Sequence, residues 1–181
     1  MAIVTASLLD EYFGRAIGDI CPNGYDATGN EHNHCAHFVS HVLGYGFART
    51  CHRMVVPSQR RGRAATRSVK EIFNRSTNRR VIDDSTPLWS PGLIFLTRSS
   101  NLVQERSGLE LRGSMTRHMG IGVGLTVWHY SNRRRKVMKQ SIASFLSHFR
   151  GNTVMVYGDF VPGTLAAHYS MSAASPLMSS P

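Results

Sequence analysis

A chain of 181 residues with 41% hydrophobic content is long enough for one ordinary globular core and too short for two independent ones. The net charge of +10 and a pI near 10.3 favour polyanionic surroundings: nucleic acid, an anionic membrane surface or acidic wall polymers, among which charge alone does not choose. No apolar run reaches the roughly 18 residues of a membrane-spanning helix, and the N-terminal stretch lacks a basic start followed by a long apolar core, because Asp10 and Glu11 interrupt the only candidate.

Taken in order, residues 7–16 carry Leu8, Leu9, Tyr12, Phe13 and Ala16 at helical spacing behind Ser7, and predict a first amphipathic helix capped by that serine. Residues 18–33 are rich in Gly, Asn, Asp and Pro and read as a loop. In Asn33-His34-Cys35-Ala36-His37-Phe38-Val39-Ser40-His41-Val42-Leu43-Gly44 the apolar residues recur at three- and four-residue spacing, and Gly44 supplies a stop, so this is a helix with Cys35 in its first turn. Residues 49–67 are basic and read as an exposed loop. A short helix is expected over 68–76 and irregular chain over 78–90.

The pattern then changes. Leu93-Ile94-Phe95-Leu96-Thr97, bounded by Pro91-Gly92 and Ser99-Ser100, reads as a buried strand. Residues 98–116 form a long loop or irregular hairpin, strands are expected over 117–124 and 127–132 with a turn at Gly124, and a third over 136–140. A helix over 141–149 and a last strand over 153–160 complete a domain of residues 1–168, and the Ser, Ala, Met and Pro of 169–181 read as a disordered tail. Helices first and strands second predict an α+β fold, N-terminal helices with the Cys35 helix packed on an antiparallel β-sheet.

A thiol in the first turn of a helix feels the positive end of its dipole, and the expectation is a thiolate of lowered pKa at Cys35. Free cysteine is also among the most buried residue types, which is the structural alternative. Arg117-His118-Met119-Gly120-Ile121-Gly122-Val123-Gly124 and Val127-Trp128-His129-Tyr130-Ser131-Asn132 place two histidines on adjacent strands of one hairpin, where one can orient the other. A thiolate, an imidazole that shuttles its proton and a third polar group that fixes the imidazole tautomer are the parts of a cysteine hydrolase.

The order of these segments, from Tyr25 to Phe160, resembles the NlpC/P60 superfamily of papain-like cysteine peptidases and amidases. The resemblance rests on a cysteine opening a helix, Pro91-Gly92-Leu93-Ile94-Phe95, His118-Met119-Gly120-Ile121-Gly122-Val123-Gly124 and Trp128-His129-Tyr130-Ser131-Asn132. It implies Cys35 as nucleophile, His118 as base and His129 as orienting residue, with Tyr25 and His34 as candidates for the substrate or oxyanion side. His34, Leu93 and Ala36-His37 stand where the family commonly has an acidic residue before the cysteine, another after Pro-Gly, and Ser-Gly after the cysteine. The implied activity is amide hydrolysis in the peptide stems of bacterial peptidoglycan, with the Cys35 N–H helping to hold the oxyanion.

No cofactor or metal is expected. His32, His34, His37, His41 and His52 lie near Cys35 and Cys51, yet there is no Cys-x-x-Cys pair and no glutamate within His37-x-x-x-His41. The basic runs Arg60-Arg61-x-Arg63 and Arg133-Arg134-Arg135-Lys136 lack interleaved aromatics, so no specific nucleic-acid partner is expected. The lack of a standard signal segment gives the expectation of a protein made in the cytoplasm and exported by a specialised route or released by lysis, as an antibacterial effector or phage-type lysin with an inhibitor protein in the producer. A papain-like protease, an acyltransferase or thioesterase, and a non-enzymatic basic binding module are the competing classes. Whether Cys21 and Cys51 pair is left open.

Overall fold

The computed structural model describes residues 4–26, 33–83, 86, 88–113, 117–149 and 151–162; the expected tail and His32 lie outside them. The first helix is shorter than its periodicity implies. Helix α1 covers Ala6–Asp10, capped by Thr5, whose hydroxyl accepts from the Leu8 N–H at 3.2 Å, rather than by Ser7. Gly14 then turns the chain at φ +80°, and its N–H reaches the carbonyl of Val137 at 3.0 Å while the Val137 N–H returns to Arg15. Pairing with that later segment takes the backbone groups that continued helix would have used, and α2 restarts at Ile17–Ile20.

Helix α3 runs Cys35–Leu43 and stops at Gly44 in the left-handed region, as the sequence pattern requires. The following loop is more ordered than its basic composition implies. It contains two short 3-10 turns, Cys51–Arg53 and Pro57–Gln59, and is closed by a bridge between Thr50 and Thr66, so Cys51, Ala65 and Thr66 are buried. Helix α4, Val69–Arg75, starts on the Ser68 hydroxyl.

The strands are β1 Arg80–Ile82, β2 Leu88–Arg98, β3 Leu102–Glu105, β4 Gly108–Leu111, β5 Arg117–Gly124, β6 Thr126–Ser131, β7 Lys136–Ser141 and β8 Thr153–Gly158; a short helix α5, Ile142–Leu146, follows β7. Six of them form one sheet in the order β1-β8-β2-β5-β6-β7, and β3 and β4 form a separate hairpin where a loop or irregular hairpin was expected. All pairings among the described residues are antiparallel. The fold is therefore mixed α+β with an antiparallel sheet.

Strand β2 begins earlier than Leu93 because its register against β5 shifts between Leu88 and Gly92. Pro91, which has no N–H to give, is accommodated in that irregularity. Both faces of the sheet are covered, which explains the unbroken apolar run at its centre. Leu93 and Phe95 join Phe38, Val39, Phe73, Met119, Ile121 and Trp128 on the side of α3 and α4; Ile94 and Leu96 join Val127, Ile142, Phe145 and Met155 on the side of α5.

Gly120 allows β5 and β6 to approach. A Cβ built there would stand 2.6 Å from both the Trp128 carbonyl oxygen and Val127 Cγ1, and backbone yields little. Gly120→Ala is expected to cost about 1–3 kcal/mol as an overpacking substitution, read as a lowered urea midpoint at unchanged slope. Phe95→Ala, which empties a fully buried site on the central strand, is expected to cost about 3–5 kcal/mol in the same measurement.

Candidate functional site

Three polar anchors fix the start of α3 against the sheet. The Asn33 Oδ1 accepts from the Cys35 N–H at 3.1 Å while its Nδ2 donates to the Arg117 carbonyl at 3.3 Å, and the His34 N–H donates to Asn132 Oδ1 at 3.1 Å. The first turn of the helix is thus tied to the beginning of β5 and to the residue after β6. One expectation changes here, because the Cys35 N–H assigned to an oxyanion is already engaged by Asn33.

Cys35 is fully buried, and burial pushes its thiol up to about 12 in spite of hydrogen bonds from the Met119 and Ala36 backbone. The expectation of a lowered pKa fails for a plain reason. A helix start offers a partial charge, whereas loss of solvent around a thiolate costs more than that charge returns. The contact with Met119 is informative in another way. The β5–β6 ladder runs only from Val123–Thr126 to Ile121–Trp128, so the backbone N–H of Met119 is left for the sulfur.

Alternation along β5 sends Met119 and Ile121 toward α3 and His118, Gly120 and Gly122 to the other face. His118 and His129 meet there: His118 Nε2 and His129 Nδ1 are 2.8 Å apart, and His129 Nε2 lies 2.6 Å from Gln140 Oε1. With the Gln140 oxygen accepting, the proton of His129 sits on Nε2, its Nδ1 accepts from His118 Nε2–H, and the lone pair of His118 falls on Nδ1. His118 Nδ1 makes no hydrogen bond among the described residues. The chain Gln140–His129–His118 therefore sets the tautomer of a neutral imidazole whose free nitrogen can take a proton.

The structure brings His118 and His129 together as the hairpin pattern implies. It brings the Cys35 sulfur to the β5 backbone at the very next residue, Met119, without a hydrogen bond between Cys35 and His118 among the described residues. Cys35 packs in the core on the α3 side with Met119, whereas the His118 ring lies with Phe145 and His148 on the α5 side. Tyr25 and His34 also come together, with ring centroids 5.3 Å apart, and Tyr25 lies equally close to His37 under the guanidinium of Arg67.

Sequence reasoning missed Gln140 and His148. His148 stacks on His118 with centroids 5.3 Å apart and planes 11° apart, and Phe145 closes the same face. Neither residue carries a local signal, since only the turn between β6 and β7 and the end of α5 decide where they fall. Donor atoms of His118, His129 and His148 lie within 4.8 Å of one another, as do those of Cys21, His37, His41 and Cys51. Motif spacing gave the expectation of no metal-ligating group; these two sets are where nitrogen and sulfur donors converge. Comparison with family models, curated proteins and solved structures returns no match for this chain.

Burial holds His118 well below the ordinary imidazole value of 6.5, with the neighbouring His129 and His148 adding to the effect. It also takes His129 down to about 4, partly offset by Gln140. The unfolded chain then binds protons that the native chain refuses. Stability is whole above pH 6.5 and falls as the pH drops from 6.5 toward about 4, by up to about 1.4 kcal/mol per pH unit for each imidazole. Urea midpoints measured between these limits are expected to decline steadily; a flat profile contradicts the burial of neutral imidazoles. Long-range nitrogen NMR correlations are expected to show both His118 and His129 protonated on Nε2 at neutral pH, and Gln140→Leu to abolish that preference at His129.

Proposed function

We propose that this protein is a papain-like cysteine hydrolase of the NlpC/P60 type that cleaves amide bonds in the peptide stems of peptidoglycan. The observation that carries the reading is the oriented chain Gln140–His129–His118, with the Cys35 sulfur held at the adjoining Met119 of the same strand. The net charge of +10 supports an anionic polymer as the setting for the substrate.

In this mechanism substrate binding brings the Cys35 sulfur and His118 Nδ1 together at the start of β5, and the thiol passes its proton to that nitrogen as the sulfur attacks the carbonyl carbon. The resulting tetrahedral oxyanion collapses with loss of the amine, which takes the proton from His118. A water molecule, deprotonated by the same nitrogen, then cleaves the thioester and restores the thiol. His129 holds the ring of His118 and, through Gln140, keeps its Nε2 protonated throughout. Action as an antibacterial effector or phage-type lysin, exported or released by lysis and restrained by an inhibitor protein in its producer, belongs to the same proposal.

Full burial of Cys35 favours one competing reading, a non-enzymatic basic module in which the thiol only packs. Digestion of purified peptidoglycan, followed by mass analysis of the fragments, separates the two. Wild type is expected to release stem-peptide fragments, and Cys35→Ala or His118→Ala to lower the rate by at least about 10³-fold. Equal products from wild type and Cys35→Ala, or none from either, would overturn the hydrolase reading for this substrate.

A further inference from the structure

Away from Cys35, three separate segments deliver four nitrogen and sulfur donors to one point. Cys21 ends α2, with its N–H on the Ile17 carbonyl at 2.8 Å. His37 and His41 stand one turn apart on α3, and their Nε2 atoms face each other at 3.0 Å. Cys51 opens the 3-10 turn after α3, placed there because its N–H bonds to the Ala65 carbonyl at 2.9 Å as the loop folds back on itself. All four donors lie within 4.8 Å of one another, and both cysteines are free thiols.

We propose that Cys21, His37, His41 and Cys51 form a structural tetrahedral zinc site. Zinc bound at about 2.3 Å to sulfur and about 2.0–2.1 Å to nitrogen needs donors separated by about 3.3–3.8 Å, which a group of this size meets with little movement. Two thiolates and two neutral imidazoles balance a divalent cation, and a soft sulfur–nitrogen set without a carboxylate favours zinc over calcium or magnesium. The protein supplies all four ligands, with Cys21, His37 and Cys51 buried, so no open position is left for a reacting water and the role is structural.

The surroundings of the donors match what such a site needs. The Ala65 N–H and the Asn23 side-chain amide both donate to the Cys51 sulfur, at 3.3 and 3.5 Å, and Asn23 is itself fixed by the Arg63 carbonyl and His52. With His37 Nε2 turned to the centre, its Nδ1 faces His34 Nδ1 at 3.1 Å, so His34 accepts the proton of Nδ1–H and sets the ligating tautomer. Partners of this kind orient metal ligands and raise their basicity. Among the described residues the apolar cluster here holds Cys21, Tyr25, Cys51 and Ala65, with Val55 packed against it; a metal supplies the cross-link that so small a core lacks. It joins α2, α3 and the returning loop two residues from Cys35, and it stands whether or not Cys35 is a nucleophile.

The test uses the full chain, purified with any affinity tag removed. Elemental analysis is expected to give about one zinc per chain. Exchange for Co²⁺ is expected to give the red-region absorption of a tetrahedral site together with sulfur-to-cobalt charge transfer in the near ultraviolet. Cys21→Ser and His41→Ala are expected to lose both metal and charge transfer; His41→Cys retains cobalt with a stronger charge-transfer band, a result that does not depend on the folding of the losing variants. His148→Ala, which touches only the other histidine group, keeps its zinc. Wild type that stays metal-free with stoichiometric Zn²⁺, a Cys21–Cys51 disulfide in the native protein, cobalt bound without charge transfer, or metal content that follows His148 instead of Cys21 would each overturn the proposal.

Discussion

The contact on which the rest of this structure depends is the seating of α3 against β5 and β6. Phe38, Val39, Val42 and Leu43 turn one face of the helix into the core formed with Met119, Ile121 and Trp128, and burial of those side chains supplies the driving force. Direction comes from Asn33 and Asn132, whose amides tie the first turn of α3 to the sheet. Apolar burial alone would allow the helix to slide; amide bonds at its start do not. The position of the Cys35 sulfur against the strand backbone follows from that anchoring.

The sheet itself is a two-sided element, and its pleat divides the chemistry. One side of β5 packs on α3 through Met119 and Ile121, while the other presents His118 beside His129 under Phe145 and His148. Glycines at 120 and 122 keep that second side shallow, since a Cβ at either would strike neighbouring chain. Burial without charge compensation then keeps the imidazoles neutral, which in turn makes the direction of the hydrogen-bond chain through Gln140 the deciding feature of the histidine pair.

The region around α2 and the loop after α3 obeys a different logic. It has few large apolar side chains, and its order comes from polar closure: the Thr50–Thr66 bridge, the buried amide of Asn23, and the convergence of sulfur and imidazole donors. The seam between these two regions is α3, which presents apolar residues to the sheet and His37 and His41 to the loop. One helix thereby carries Cys35 and half of the converging sulfur and nitrogen donors.

Local pattern was enough to read much of this chain. The spacing of Phe38, Val39, Val42 and Leu43 with Gly44 behind them determines α3, because periodicity and a left-handed stop are properties of the segment itself. The alternation through His118 to Gly124 and from Val127 onward determines a hairpin, and with it the meeting of His118 and His129. Other features were settled only by closure over long distances. The extension of β2 past Pro91 and the existence of β1 depend on β5 and β8 as partners, and the first helical stretch breaks off early because the chain near Gly14 is claimed by Val137. The full burial of Cys35, the choice of Gln140 as partner of His129 and the gathering of Cys21 and Cys51 around His37 and His41 all join residues whose neighbours in sequence say nothing of one another. Helical and strand periods are written in adjacent residues, whereas desolvation and ligand geometry exist only once distant segments have packed.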